Sequence, residues 1–306
     1  MDTDAILTHV LVTFFLLVIA WVIVANSLTI AAIIRNRSLR TKPYFLVGSL
    51  AVVDLLVGVF NAVVAWMYNY LDENRAGPHE YNVICTGIFV LWSAPIFNSI
   101  YHLVLIALDR YYAVLHPFKY SVMVTKRRIV VLICASWFVS YAQGLCAFIW
   151  LRNFVSPCAK TMFTPPVQYT VPFVTMPSSI APCVLAYLHL KILQAARDQQ
   201  RKIAQQTINS MTTATNQNMK TQLKLAKMFF LVVILFILCL TPMTLVNVLN
   251  MIFGSDVILG DPVRPKRHVF ATGLLLSNSG INFFVYASRD KTFRSAILAL
   301  FRKPEM

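Results

Sequence analysis

Charged residues are scarce in this sequence, and the scarcity limits the classes of protein to which it can belong. Asp, Glu, Lys and Arg make up 13% of the 306 residues, against about 25% in an average soluble domain. This composition excludes collagen, coiled coils, disordered chains and disulfide-rich secreted modules. An integral membrane protein is expected instead, because 58% of the residues are hydrophobic.

Several motifs and segments are also missing. The sequence has no P-loop, HExxH or GxSxG motif, so nothing in it indicates an enzyme. It has no apparent internal repeat, which argues against an inverted-repeat transporter. No basic segment precedes the first apolar run, and its length of about 28 residues exceeds the ~7–15 of a signal-peptide core. We therefore expect this run to be retained as a helix.

Seven continuous apolar runs are long enough to cross a bilayer as helices, since each crossing needs about 20 residues. The runs do not alternate polar and apolar residues, so a closed β-barrel is excluded. The predicted fold is an all-α membrane protein, a seven-transmembrane-helix bundle that forms a single domain over residues 1–306. The predicted spans, numbered 1 to 7 in chain order, are 6–33, 43–69, 82–115, 126–150, 167–194, 222–252 and 266–287.

The formal net charge of +15 comes mainly from Lys and Arg between alternate spans and after span 7. Positive loops stay in the cytoplasm, so the pattern predicts an extracellular amino terminus and a cytoplasmic carboxyl terminus. The basic loops also attract anionic membrane lipids. They do not indicate nucleic-acid binding, because they lie between apolar runs. A short amphipathic helix over 289–302, on the inner membrane surface, is predicted from the spacing of Phe293, Ile297, Leu298 and Phe301.

A carboxylate, Asp54, lies in the middle of span 2, where exposure to lipid costs about 2.5–3.5 kcal/mol. It is expected to face the bundle interior, and a neutral carboxyl held by hydrogen bonds is one interpretation. The other is a cation site, since one carboxylate with amide and hydroxyl oxygens suits a small hard cation. The candidate companions are Ser99 in span 3 and Asn278, Ser279 and Asn282 in span 7.

An arginine, Arg110, lies between Asp109 and Tyr111 at the inner end of span 3. An arginine held by its neighbouring aspartate can move to another acceptor when the bundle opens, although an arginine that reaches to the interface is the simpler alternative. Pro242 in span 6 predicts a kink, because proline removes a backbone hydrogen bond. On the outer, oxidising side, Cys85 and Cys158 are candidates for a disulfide, with Cys146 as a rival partner.

Taken together, these motifs resemble the rhodopsin-like (class A) G-protein-coupled receptors over essentially the whole chain. The residues that carry the resemblance are Asn26, Asp54 in LAVVD, Cys85, the DRY at 109–111, Trp137, Cys158, Tyr187, Pro242 in FILCLTP, and Asn282 with Tyr286. The resemblance implies a plasma-membrane receptor that couples a small extracellular ligand to a cytoplasmic heterotrimeric G protein, with no required cofactor. It also implies a Cys85–Cys158 disulfide.

The resemblance assigns roles to three groups of residues. An allosteric sodium ion, favouring the inactive state, would be held by Asp54, Ser99, Asn278, Ser279 and Asn282. The core switch between ligand pocket and span 6 would include Ile100 and Phe236, with Pro242. Activation and G-protein coupling would involve Asp109, Arg110, Tyr111, Phe118, Tyr187, Gln222 and Tyr286.

The sequence departs from the family pattern at four positions. Leu240 replaces the usual aromatic switch, Ser179 the span 5 proline, and Phe283 the proline of the NPxxY motif. Gln222 stands where an acidic residue often restrains the DRY arginine. An amide restrains an arginine less than a carboxylate does, so raised basal signalling is expected.

The identity of the ligand stays open at this point. Trp92 occupies the position of the aspartate that pairs with amines, and Leu276 that of the opsin lysine, so a classical amine grip and retinal are disfavoured. Segments such as DRYYAVLHPFKY are similar to adenosine receptors and their amine and melanocortin relatives, which leaves an adenosine-like ligand or a small apolar lipid. The predicted pocket comprises Trp92, Ser93, Ile96, Phe163, Leu240, Asn247, Leu275 and Leu276.

Other functions remain as alternatives. The chain could be a non-signalling scaffold or dimer partner, or a receptor active without agonist, and more remotely a transporter. If it is phosphorylated, an arrestin would bind at the third inner loop, where the hydroxyls cluster at Thr207, Ser210, Thr212, Thr213 and Thr215.

Overall fold

The computed structural model describes residues 3–70, 78–146, 149, 169–206, 213–253 and 264–302. Within these ranges seven helices are long and apolar enough to cross a membrane, as predicted. Spans 1 to 4 are Thr3–Arg35, Lys42–Tyr70, Pro78–Leu115 and Lys126–Leu145. Span 5 opens as a π-helix, Thr170–Thr175, and continues as the α-helix Met176–Gln206. Spans 6 and 7 are Thr213–Phe253 and Arg264–Arg289.

Three short helices connect or follow the spans. A 3-10 helix, Arg37–Leu39, begins after Asn36, whose side chain accepts a hydrogen bond from the Ser38 N–H. The loop helix, Pro117–Met123, starts with a proline, whose missing N–H is not needed at a helix start. The terminal helix, Lys291–Phe301, agrees with the amphipathic helix predicted over 289–302. Its first turn is capped by Asp290, which accepts from the backbone N–H groups of Thr292 and Phe293.

Some helix ends differ from the predicted boundaries. Span 4 ends at Leu145, five residues before the predicted 150, and residues 147, 148 and 150 lie outside the described part. Spans 5 and 6 continue as helix beyond the apolar runs, to Gln206 and from Thr213. Hydropathy marks only the segment in lipid, whereas the Gln-, Ala- and Lys-containing extensions favour helix in water as well.

The bundle buries its polar residues and exposes apolar ones, as a membrane protein should. Asp54 and Arg110 are fully buried, whereas Leu17 and Leu238 are exposed on the outer surface of the bundle. Span 3 is the central helix, because two thirds of its apolar window is buried and it contacts spans 2, 4, 5 and 6. Residues of span 3 therefore contribute to the packing at both ends of the bundle.

Span 1 packs closely on span 7 through a tryptophan and a glycine. The Trp21 Nε1–H donates to the backbone oxygen of Gly280 over 3.2 Å, and the indole stacks on Phe284 with ring centroids 4.6 Å apart. A Cβ atom at position 280 would lie 2.5 Å from the Trp21 ring, so only glycine permits this approach. Phe283, which replaces the family proline, meets the same indole edge to face.

Candidate functional site

The carboxylate of Asp54 is the centre of a buried polar cluster between spans 2, 3 and 7. Its side chain is 0% exposed. The hydroxyls of Ser99 and Ser279 each donate to Oδ1 over 2.8 Å, and the Asn282 amide donates to Oδ2 over 3.1 Å. The structure thus brings three of the four predicted companions into contact with the carboxylate.

The fourth companion, Asn278, lines a cavity of about 270 Å³ beside the cluster, together with Ser99 and Ser279. Its side-chain oxygen is buried and has no hydrogen-bond partner among the described residues, and the same holds for the oxygen of Asn282. Buried polar atoms normally have partners. Two such amide oxygens, beside a carboxylate and two hydroxyls, fit a small hard cation or water molecules.

The backbone of span 7 at this cluster is held from span 1. The Asn26 amide donates to the Ser279 backbone oxygen over 3.1 Å and to the Val22 oxygen over 2.9 Å. Because Asn26 is buried, both bonds are shielded from water. The position of the Ser279 hydroxyl on Asp54 is therefore fixed by two neighbouring spans.

At the carboxyl-terminal end of span 3, the Arg110 guanidinium lies on the adjacent carboxylate. Its Nε–H donates to Asp109 Oδ2 over 2.9 Å, and Nη2 donates to the same oxygen. The other oxygen, Oδ1, accepts from the Tyr120 hydroxyl of the loop helix over 2.7 Å. Burial, then the charge of Asp109, raises the pKa of Tyr120, so this hydroxyl remains a donor at neutral pH. Tyr120 was not predicted from the sequence, because nothing in its spacing indicates this contact.

The remaining predicted coupling residues are not assembled around Arg110. Tyr286 is buried between the rings of Phe229 and Phe293, and its hydroxyl has no partner within the described ranges. Tyr187 is 58% exposed on the outside of the bundle, and Phe118 is 89% exposed on the loop helix. Tyr111 is half-buried and contacts His116. Gln222 lies in span 6, but its side chain falls outside the described part.

A larger cavity of about 670 Å³ lies between spans 3, 5, 6 and 7. We call it the outer cavity, after the orientation predicted from the positive loops. Six of the eight predicted pocket residues line it. Leu276 lies instead in the wall of the cavity beside Asp54, and Phe163 falls outside the described residues. The predicted residues in its wall are Trp92, Ser93, Ile96, Leu240, Asn247 and Leu275.

One side of this outer cavity is built from aromatic rings. The Trp92 Nε1–H donates to Asn61 Oδ1 over 2.8 Å, and the Asn61 amide donates to the Val57 backbone oxygen over 2.7 Å. Phe89 lies against both Trp92 and Tyr169, at centroid distances of 5.9 and 5.6 Å. Asn61 was not predicted from the sequence, although a lone amide in an apolar run was a usable signal.

The core switch residues and the cysteines complete the predicted set. Ile100 and Phe236 are buried in the central core, and Ile100 lines both cavities. Pro242 lies within span 6. The proposed Cys85–Cys158 disulfide stays a prediction, because Cys158 and the Cys85 side chain lie outside the described part. Cys146, the rival partner, is a free thiol.

Comparison with known proteins places this geometry in a family. The profile of the 7 transmembrane receptor (rhodopsin family) matches residues 25–286. Similar proteins include dopamine receptor 2 of Drosophila melanogaster, 33% identical over 58% of this chain, and cannabinoid receptor 1 of Xenopus laevis, 25% identical over 91%. The chain spans 33% and 60% of the lengths of these two relatives.

A third relative, 5-hydroxytryptamine receptor 4 of Rattus norvegicus, is 29% identical over 95% of this chain and 75% of its own length. The matching segment of the family profile runs from span 1 to Tyr286 and includes the Asp54 cluster and Arg110. The chain therefore belongs to the rhodopsin family of seven-transmembrane receptors, which are not enzymes.

Proposed function

We propose that this protein is a plasma-membrane receptor that couples a small extracellular ligand, bound in the outer cavity, to a cytoplasmic heterotrimeric G protein. The amino terminus would be extracellular and the carboxyl terminus cytoplasmic, as the positive loops predict. The observation that carries the proposal is a shared wall. Ile96, Ile100 and Leu275 line both the outer cavity and the cavity beside Asp54.

This shared wall gives a ligand a physical route to the core. A molecule in the outer cavity would press on Ile100, which packs in the same core cluster as Phe236 of span 6. Movement of Phe236 displaces span 6 relative to span 3. A packed core rearranges between discrete arrangements rather than deforming continuously, so a small shift can be amplified.

The inner end of the bundle carries the residues that would contact the G protein. Arg110 is buried and restrained by Asp109, which also accepts from Tyr120. Opening of the bundle would expose the guanidinium to a partner that offers carbonyl or carboxylate acceptors. The exposed Phe118 on the loop helix adds an apolar contact on the same cytoplasmic face.

The names of the relatives give dopamine, 5-hydroxytryptamine and cannabinoids as ligands. An ammonium ligand requires a carboxylate or an equivalent partner. None of the described residues that line the outer cavity is acidic. We therefore do not propose an amine as the ligand of this protein.

A sodium ion beside Asp54 is part of the proposal. Asp54 with the oxygens of Ser99, Asn278, Ser279 and Asn282 would hold it, and it would supply a positive charge that stabilises the closed bundle. Raising sodium at constant ionic strength, with choline as replacement, should then lower basal signalling. The Asp54→Asn variant should lose this response; an equal response in parent and variant would exclude the site.

Nucleotide exchange on purified G proteins tests the receptor function directly. The protein in nanodiscs should accelerate exchange above empty discs, and Arg110→Ala should abolish the effect. Arg37→Ala is the matched control, because Arg37 is exposed at the same membrane face. A parent protein that leaves every G-protein class at the empty-disc rate, with and without a broad ligand panel, would support the scaffold alternative. Solute flux in liposomes would support a transporter.

Arrestin is proposed as a second partner. Thr207, Ser210 and Thr212 lie outside the described residues, whereas Thr213 and Thr215 begin span 6. Each phosphate would add about −1.5 to −2 charges to this basic face. Mass spectrometry after activation tests the proposal, and a loop without phosphate would remove its basis.

A further inference from the structure

We propose that the outer cavity binds an uncharged, single-chain lipid whose hydrocarbon chain passes Leu240 and ends against Ile100. This inference rests on the proposed function, because it names the ligand class of the same cavity. Three observations support it: the chemistry of the wall, the bond that closes the wall at Trp92, and the residues of the floor.

The described wall carries no ionisable side chain. Its fourteen residues include no Asp, Glu, Lys, Arg or His. Two of its hydroxyls donate back to their own helix, Ser178 to the Val174 oxygen over 2.7 Å and Thr244 to the Leu240 oxygen over 3.2 Å. These groups offer lone pairs to a ligand but cannot balance a buried charge. A charged headgroup would therefore lose its hydration without gaining a counter-ion.

Trp92 closes the wall between spans 2 and 3. Its indole N–H is bonded to Asn61, and the Asn61 amide is bonded in turn to Val57. The pair therefore presents mainly an aromatic face to the cavity. Apolar chains pack well on such a face, whereas an ammonium finds no carboxylate there. Trp92 is the specificity-determining residue of this proposal.

Leu240 forms part of the floor of the cavity, at a position where the family pattern has a larger aromatic side chain. Leu240 is 4% exposed and lines the cavity. Below it, Ile96, Ile100 and Leu275 form the wall shared with the cavity beside Asp54. Most of the side chains that line the cavity are apolar or aromatic, as in ordinary small-molecule sites.

The polar end of the lipid has a place at the outer end of the cavity. Asn247 lines it three residues beyond Thr244 on span 6, and its amide can both donate and accept. A small neutral headgroup such as an amide or an ester alcohol matches these two functions. The hydrocarbon chain then lies along Trp92, Ile96 and Leu240.

A series of lipids with different headgroups and the same chain length tests whether the cavity prefers an uncharged headgroup. Displacement of tritiated oleoylethanolamide is measured on the purified protein in nanodiscs, with empty discs as background, and the competitors are oleoylethanolamide, oleate and oleylamine. The neutral amide should displace the label saturably, and the two charged lipids should bind at least about tenfold more weakly. Trp92→Asp should reverse the order and favour oleylamine, whereas Trp92→Phe should keep the parent order. Tighter binding of oleylamine than of the neutral amide to the parent would overturn the proposal.

A series of lipids with different chain lengths tests whether the hydrocarbon chain passes Leu240. Leu240→Trp fills the floor of the cavity. It should weaken the binding of oleoylethanolamide at least about tenfold relative to the binding of octanoylethanolamide. Leu238→Trp is the matched control, because Leu238 is two residues away and 63% exposed. It should leave both affinities unchanged. Leu240→Phe, a smaller increase in volume, serves if the tryptophan variant unfolds. If Leu240→Trp changed the affinities for the long and the short lipid equally, a hydrocarbon chain that passes Leu240 would be excluded.

These binding assays contain no G protein, so their failure is distinct from failure of the receptor function. G-protein exchange by the same discs without saturable binding of the neutral lipid would overturn this inference alone. Saturable binding without exchange would overturn the receptor proposal and leave the lipid site in place.

Discussion

Replacing Asp290 by alanine should release the terminal helix from the bundle. One oxygen of Asp290 accepts from the backbone N–H groups of Thr292 and Phe293, at 2.8 and 3.3 Å, and the other accepts from the Tyr44 hydroxyl of span 2. Phe293 is buried and lies parallel to the Tyr44 ring, with centroids 6.4 Å apart. One carboxylate therefore starts the helix and ties it to span 2.

The expected loss has two parts. Removal of an N-cap costs about 0.5–2 kcal/mol, and loss of a hydrogen bond to a charged group costs about 1.5–3 kcal/mol. Since the carboxylate is partly exposed, we take the lower half of these ranges and expect roughly 2–3 kcal/mol for Asp290→Ala. Tyr44→Phe removes only the second part, so its effect should be smaller, while Asp290→Asn should retain most of the cap.

Hydrogen exchange of the amides in 291–301 measures this effect, because local opening of one helix is invisible in global unfolding. A loss of about 2–3 kcal/mol corresponds to roughly 30- to 140-fold faster exchange. Ser295→Ala is the control, since Ser295 is exposed on the same helix. Unchanged protection in Asp290→Ala would refute the role of this carboxylate. Strictly additive effects of Tyr44→Phe and Asp290→Ala would show that the two residues act independently.

Three further changes test the restraints on the bundle. Tyr120→Phe removes one bond to Asp109 and should raise basal nucleotide exchange severalfold; an exchange rate equal to the parent's would exclude this restraint. Gln222→Glu adds an acidic partner for Arg110 and should lower basal exchange, so equal rates in variant and parent would contradict the argument from charge. Trp21→Phe removes the hydrogen bond to Gly280 and replaces the indole with a smaller ring. It should lower the free energy of unfolding by about 1 kcal/mol, measured as a lower thermal midpoint in detergent. An unchanged midpoint would show that this hydrogen bond does not stabilise the bundle.

The number of spans and the chemistry around Asp54 were accessible from the sequence, for a physical reason. Lipid imposes a long apolar run on each crossing, so length alone counts the spans. It also penalises each polar residue, so a carboxylate in span 2 predicts polar partners before any contact is known. Ser99, Ser279 and Asn282 are such partners.

Contacts that depend on the rotation of a helix were not accessible. Trp92 and Asn61 lie on adjacent spans, but hydropathy does not say which faces meet. Tyr120 reaches Asp109 only because the loop after span 3 folds back as a helix starting at Pro117. The close contact between Trp21 and Gly280 likewise depends on the matching shapes of spans 1 and 7, which cannot be predicted from amino-acid composition.

The restraint on Arg110 has a different origin here from the one the family pattern suggests. Position 222 carries an amide, so an ion pair from span 6 is unavailable to the guanidinium. The described contacts include Asp109 of span 3, which also accepts from Tyr120 of the loop helix. They also include the Phe229 ring of span 6, whose centroid lies 5.9 Å from the guanidinium carbon. The ammonium of Lys42 lies 5.1 Å above the Tyr120 ring and links the loop helix to span 2. Movement of the loop helix should therefore weaken one of the restraints on Arg110. Because the same helix carries the exposed Phe118, a partner that binds Phe118 would favour release of the arginine.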